Sequence, residues 1–292
     1  MKSVKRSKNR IRKAVSSVMA LLLVILGLGN SAFAEQTSFG RGPEVNVKIM
    51  SYNIHHGEGE DGVLDLERIA RIIEDADTEI VALQEVDNHW SDRSDFQDQA
   101  KWLAERLGLF YTYAANLDRE PLNNGGERRQ YGTAILSAYP IIESENHFLS
   151  KIGNTEQRGL LEATININGN HLNVYNTHLA LTSAERELQV NEIIEIASQT
   201  KGPKVILGDL NATPESNEMK PMYANYLDVF ADTPDANTYS AENPSKRIDY
   251  IFTSKDIEAA DVAVINSLAS DHLPITAELV LDREEPYYNG NK

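Results

Sequence analysis

Six short apolar runs along the chain each abut polar side chains capable of chemistry, and this recurrence limits the fold more than any other feature. Residues 45–52 alternate Val45, Val47 and Ile49 as a strand does, and they lead into Asn53. Residues 80–83 read as a short buried strand that stops at Gln84-Glu85. A strand over 171–177 closes on Asn176-Thr177-His178, and one over 204–207 runs into Gly208-Asp209-Leu210-Asn211. Arg247-Ile248-Asp249 opens a strand over 247–253, and Ser270-Asp271-His272 precedes a last one at 275–281. Strand ends that share a rim let a rigid core fix side chains that loops alone would leave loose. The pattern predicts a layered protein with its reactive residues gathered along one edge of its sheets.

Amphipathic segments lie between these runs. Asp65 is placed to cap a helix whose apolar face is Leu66, Ile69, Ile72 and Ile73. A second helix is expected through Phe96, Ala100, Leu103 and Leu107, stopped by Gly108. Residues 132–137 and 161–167 read as further strands, and Asn168-Gly169 is a hairpin turn into the strand at 171–177. Thr182 and Glu185 have capping-box spacing before a helix carrying Leu188, Ile193, Ile194 and Ala197. No linker or internal repeat divides residues 45–281, which predicts one α/β domain with mixed, largely antiparallel sheets.

The N-terminus stands apart. Residues 2–13 hold seven Lys or Arg and no acid, residues 18–28 are apolar, and Ala32-Phe33-Ala34 precedes Glu35. These are the marks of a secretory signal peptide cleaved after Ala34. An uncleaved anchor over residues 14–34 is the rival reading. The expected organisation is a leader at 1–34 and a catalytic domain at 35–292, exported to a periplasm or the medium as a monomer with no stable membrane insertion. Losing the seven basic residues would move the formal net charge from −16 to −23. So acidic a surface repels polyanions, because nucleic-acid binding draws much of its affinity from Lys and Arg on phosphates. The chain has no cysteine, which excludes thiolate metal sites and thiol nucleophiles.

The remaining residue types suit one chemistry. A hard divalent cation takes carboxylate and amide oxygens, and Glu85, Asp209, Asp271, Asn53 and Asn211 offer them. His178 and His272 offer a base and a donor to phosphate, and a buried carboxylate can orient one of them. No serine stands in a nucleophile elbow, and no His-Glu-x-x-His occurs. Hydrolysis by a metal-activated water is what remains.

Ser51-Tyr52-Asn53-Ile54, Leu83-Gln84-Glu85-Val86, Asn176-Thr177-His178-Leu179, Gly208-Asp209-Leu210-Asn211, Arg247-Ile248-Asp249-Tyr250-Ile251 and Ser270-Asp271-His272-Leu273-Pro274 together resemble the endonuclease/exonuclease/phosphatase superfamily, and in particular its bacterial exported metal-dependent hydrolases. Each motif alone is weak; six in order across residues 45–281 are specific. The resemblance implies a four-layer α/β sandwich, two packed mixed sheets flanked by helices. It implies Mg²⁺, with Mn²⁺ or Ca²⁺ as substitutes, on Glu85, with Asn53 beside it touching metal or phosphate and Asp271 as a second metal contact. It gives His272 or Asp209 as the base and Asp249 as the carboxylate that orients His272. His178 then donates to phosphoryl oxygens, and Asn211 helps Asp209 position water and phosphate. Tyr131 corresponds to an aromatic on the phosphate side. The implied substrate is a small or lipid-type phosphomonoester or phosphodiester. An extracellular nuclease acting on DNA or RNA, and an inactive binding module on the same fold, are the alternatives.

Several positions read two ways. Arg158 either clamps a phosphate or staples a loop. His55 and His56 either reach the cleft or follow their strand into solvent. Asp249 either orients His272 or pairs with Arg247. The polar stretch 116–130 is either a solvated loop or a substrate-facing lid. Arg93 is expected to be structural. A nuclease would need basic residues around its cleft, for which Arg128, Arg129, Arg158, Lys246 and Arg247 are the candidates.

Overall fold

Strand β1 (Val45–Asn53) turns Val47 and Ile49 to one side and Met50 and Tyr52 to the other, and all four are fully buried. A strand buried on both faces has to be covered on both, and the rest of the chain supplies the two covers. In the computed structural model, which describes residues 44–282, β1 pairs in parallel with β2 (Ile80–Asn88) across helix α1 (Leu66–Asp75). The expected leader at 1–34 lies outside the described residues.

Helix α2 (Gln99–Leu107) precedes strands β3 (Phe110–Arg119), β4 (Arg129–Ser137), β5 (Ile141–Phe148), β6 (Gly159–Ile167) and β7 (Asn170–His178). Helix α3 (Ser183–Gln199), strand β8 (Lys204–Asp209), helix α4 (Lys220–Asn225) and strands β9 (Leu227–Asp228), β10 (Asp249–Thr253), β11 (Glu258–Val264) and β12 (Ile275–Leu281) follow. One sheet has the order β11-β12-β1-β2-β4-β3, the other β5-β6-β7-β8-β10-β9. Each contains one parallel pair joined through a helix, β1 with β2 through α1 and β7 with β8 through α3. The other pairings are antiparallel.

The inner faces of the sheets meet in a core that includes Val47, Ile49, Leu161, Val174, Leu207 and Ile251. Helices α1 and α2 cover the first sheet's outer face, setting Ile69, Ile73 and Leu103 against Tyr52, Leu83 and Leu136. Helices α3 and α4 cover the second, setting Val190, Ile193 and Met222 against Tyr175, Ile206 and Phe252. The result is the four-layer α/β sandwich that the resemblance implied.

Local departures from the sequence reading have local causes. Asp65 caps α1 as expected, accepting from the N–H groups of Glu67 and Arg68. Helix α2 starts at Gln99 behind the cap Asp98, not at Phe96, whose left-handed φ of +54° ends a turn. Leu188 faces solvent, while Glu185, Arg186 and Gln189 are buried in the first turns of α3. There Glu185 accepts from the Ile152 N–H at 3.0 Å and Gln189 donates to the Ser150 carbonyl at 2.9 Å, so the helix start anchors the loop between β5 and β6. The stretch 116–130 is the end of a hairpin: β3 runs to Arg119 and β4 begins at Arg129, and residues 120–128 form the loop that joins them.

Strand β2 does not stop at Glu85. It continues to Asn88 through a bulge between Leu83 and Val86, with Glu85 at φ +57°. A bulge keeps the pairing with β4 while re-aiming one side chain. It also interrupts the ladder, and Asn176 on the opposite sheet compensates by donating to the carbonyls of Leu83 and Ala134, both at 2.8 Å. The Asn176 oxygen accepts from Gln84 Nε2 at 2.8 Å. Gln84 and Asn176 therefore clamp the two sheets together beneath the rim.

Candidate active site

The parallel pairs bring Asn53, Glu85, His178 and Asp209 to one rim. Asn53 Nδ2 donates to Glu85 Oε1 and to Asp209 Oδ2, each at 3.1 Å, so one buried amide ties the rims of both sheets. Its Oδ1 accepts from the His55 N–H at 3.1 Å, and its carbonyl accepts from Ser270 Oγ at 2.7 Å. Ser270 Oγ also accepts from the His272 N–H at 3.2 Å, which fixes the start of the His272 turn.

Asp209 is the hub. Its register partner across the parallel pair is His178. That pairing depends on Gly208, where a Cβ would lie 1.9 Å from the Thr177 carbonyl oxygen. Asp209 Oδ1 accepts from the Asn211 N–H at 2.9 Å, and Asn211 Nδ2 donates to the Leu179 carbonyl at 3.0 Å. Asp209 Oδ2 lies 3.4 Å from His178 Nε2 and 3.6 Å from His272 Nε2. The other His272 nitrogen, Nδ1, is 2.9 Å from Asp249 Oδ2. Arg247 binds Asp228 through both terminal nitrogens, at 3.1 and 2.7 Å, so Asp249 serves His272 instead.

Burial sets the electrostatics. It pushes the Asp209 carboxyl up to about 7, and Asp249 adds to this while His272 and the donors on Asn211 and Asn53 oppose it. Burial disfavours the charged form of His272, but Asp249, Asp209 and Asp271 overcome it and push the ring up to about 10. Burial, reinforced by Arg158 and His272, holds His178 well below its ordinary range, so its ring is neutral near pH 7. At neutral pH His272 is thus charged and His178 neutral.

A cleft of about 560 Å³ opens over this hub. Glu85, Tyr131, Arg158, His178, Asp209, Asn211, Asp271 and His272 line it, and Asn53 and Asp249 bond to them from beneath. Arg158 is buried, with Nη1 2.9 Å from Glu156 Oε1 and Nε without a hydrogen-bond partner. His56 is buried and His55 half-buried beside Glu85, where one ligand atom from each of the three lies within 4.8 Å of the others. Asp209, Asp249 and His272 form a second such group, but there the donors already bond one another. Asp271 lines the cleft and belongs to neither group. Arg93 is structural as expected, holding the buried Asp87 at 2.7 Å.

Sequence reasoning missed Tyr239, whose ring packs 4.9 Å from that of His272, and Glu156 beside Arg158. Tyr239 stands in a turn-rich segment with no periodicity to single it out.

The pattern of the endonuclease/exonuclease/phosphatase family matches residues 50–272, which contain every side chain of the rim from Asn53 to His272. The chain belongs to this family. A family member from Beutenbergia cavernae shares its fold with a TM-score of 0.69 at 23% identity, over 81% of this chain and 72% of that one. A mannosyl-6-phosphatase from Bacteroides thetaiotaomicron aligns with a TM-score of 0.67 at 18% identity, over 80% of this chain and 100% of that one. Both likenesses show the fold alone. Protein cwh43 of Schizosaccharomyces pombe is 26% identical over 159 residues, 54% of this chain but 15% of cwh43. The chain therefore spans only a small part of that relative's length.

Proposed function

We propose that the protein is an exported, divalent-metal-dependent phosphoesterase that hydrolyses a phosphomonoester or phosphodiester of a small or lipid-type substrate. The observation that carries this reading is the Asp209 hub: one buried carboxylate within 3.1 to 3.6 Å of Asn53, His178 and His272, at the floor of an open cleft that Glu85 also lines. A divalent ion on Glu85 would polarise a phosphoryl oxygen and a bound water.

The chain's own residues divide the remaining work. Asp209 takes the proton of the attacking water, since its pKa near 7 poises it as a base at neutral pH. His272, held as an imidazolium by Asp249, and neutral His178 give N–H groups to the charge that develops on the phosphoryl oxygens. Arg158 and Asn211 orient the phosphate. The new oxygen–phosphorus bond forms as the bond to the ester oxygen breaks, and that oxygen takes a proton from solvent while Asp209 releases the one it gained.

A small substrate is favoured over a nucleic acid because the basic candidates are mostly engaged elsewhere. Arg128 binds Asp118 and Glu120, Arg129 donates to the Glu120 carbonyl, and Arg247 binds Asp228. Of the five candidates only Arg158 and Lys246 line the cleft. The solved relative named as a mannosyl-6-phosphatase is in keeping with a phosphomonoester. An inactive module is disfavoured because the full donor set is in place. Export is supported by the N-terminal pattern, and among the described residues no helix is long and apolar enough to cross a membrane.

Parallel assays of sugar phosphates, lysophospholipids and supercoiled plasmid test the substrate class. Metal-dependent release of phosphate or headgroup without nicking is expected. Nicking at comparable kcat/KM would move the protein to the nucleases.

A further inference from the structure

Glu85, which lines the cleft, stands beside two histidines that do not line it. One ligand atom from each of His55, His56 and Glu85 lies within 4.8 Å of the other two. Donors about 2.0–2.2 Å from a divalent ion have mutual separations below this limit. The hydrogen bonds also leave one nitrogen of each ring open. His55 Nδ1 is 3.2 Å from the Glu58 carbonyl oxygen. A carbonyl only accepts, so Nδ1 carries the proton and Nε2 keeps its lone pair. Metal-bound histidines commonly make this outer hydrogen bond.

His56 supplies an independent observation. It is 6% exposed, and its Nδ1 is buried with no hydrogen-bond partner. A buried polar atom without a partner costs about 1–3 kcal/mol, so such a group calls for a ligand. Its other nitrogen faces Glu58 Oε2 at 3.7 Å, which leaves Nδ1 as the open position. Gln99 Nε2 donates to the His56 carbonyl at 2.6 Å and Asn53 Oδ1 holds the His55 N–H, so both rings stand on a fixed turn.

We infer that His55, His56 and Glu85 form a mixed nitrogen–oxygen metal site that takes a transition ion of the Fe²⁺, Co²⁺ or Zn²⁺ class in preference to Mg²⁺. The inference rests on the assignment of Glu85 to the cation in the proposed function, and it revises the Mg²⁺ that the family resemblance implied. Mg²⁺ selects oxygen donors and keeps several waters, whereas imidazole suits the later divalent ions. Two imidazoles in place of carboxylates also lower the negative charge that holds a hard ion.

Calorimetric titration of metal-stripped protein with ZnCl₂, CoCl₂ and MgCl₂ tests this, together with zinc-edge X-ray absorption of the one-equivalent Zn²⁺ complex. Zn²⁺ and Co²⁺ should bind one equivalent at least ~100-fold more tightly than Mg²⁺. The double substitution His55→Ala, His56→Ala should weaken Zn²⁺ at least ~10-fold and leave Mg²⁺ nearly unchanged. Zinc-edge spectra should show imidazole scattering in the unsubstituted protein and less of it in the single variants His55→Gln and His56→Gln, which separates these rings from His178 and His272 even where the double variant misfolds. Equal affinity for Mg²⁺ and Zn²⁺, undiminished Zn²⁺ binding by a folded double variant, or a spectrum of oxygen ligands alone would overturn the site. Both readouts concern binding. Failure to hydrolyse any ester with the site intact would therefore sink the phosphoesterase reading and leave this one standing.

Discussion

His272 Nδ1 lies 2.9 Å from Asp249 Oδ2, and its Nε2 faces Asp209 Oδ2 at 3.6 Å. One ring thus connects a carboxylate at the back of the site to one on the cleft floor. Asp249→Asn keeps the shape but removes the charge that holds His272 protonated. A fall in kcat of about 10²–10⁴-fold is expected, with KM and the far-ultraviolet circular dichroism little changed. A kcat within a few-fold of the parent would show that Asp249 only packs.

The same ring makes stability depend on pH. In the metal-free fold its pKa is about 10, above the ordinary value of 6.5. A raised pKa means that the folded state binds the proton more tightly than the unfolded chain. The ring's contribution is complete below about 6.5 and is lost as pH rises through 10. Between pH 7 and 10 the melting temperature of the parent should fall more steeply than that of His272→Gln. Parallel declines in the two proteins would contradict the assignment.

Asn176 joins the sheets through three hydrogen bonds of 2.8 Å. Asn176→Leu would remove these three bonds and take the Asn176 donor from the buried carbonyls of Leu83 and Ala134, while Gln84 Nε2 keeps the Ala82 carbonyl at 3.2 Å. Each such buried carbonyl costs about 1–3 kcal/mol, so urea denaturation should show a loss of at least ~2 kcal/mol. A loss well below ~1 kcal/mol would mean that water or a local shift satisfies them.

Gly208 allows β8 to approach β7 with Asp209 opposite His178. Gly208→Ala should lower the melting temperature more than Gly202→Ala, because the new methyl meets the Thr177 carbonyl at 1.9 Å at Gly208 but nothing nearer than 3.9 Å at Gly202. Both sites have positive φ, so the comparison separates crowding from backbone strain. Similar losses in the two variants would show that crowding is relieved.

The central strands were legible because they are buried on both faces. Ile80-Val81-Ala82-Leu83 divides between two cores, so its four apolar residues stand without interruption. Edge strand β5 was not, since Glu143 and Glu145 face solvent and the pattern loses its contrast. Rim residues could be placed because each follows or opens a legible strand. Pairings across the chain could not. Arg247 adjoins Asp249 in sequence, yet its partner is Asp228, 19 residues away. The position of His55 and His56 depends on two successive left-handed residues, φ 45° each, a conformation that side-chain type does not announce. Tyr239 reaches His272 from an irregular segment, where neither period nor motif marks it.

Hydrolysis of p-nitrophenyl phosphate and bis-p-nitrophenyl phosphate by the metal-stripped protein, before and after adding back Zn²⁺, Co²⁺, Mn²⁺, Mg²⁺ or Ca²⁺, tests the central claim most directly, with Asp209→Asn measured alongside. The expected result is no turnover in EDTA, turnover of at least one ester when a divalent ion returns, and a loss of about 10²–10⁴-fold in Asp209→Asn. Turnover that persists in EDTA, or survives in Asp209→Asn, would contradict a metal-dependent phosphoesterase built on this carboxylate.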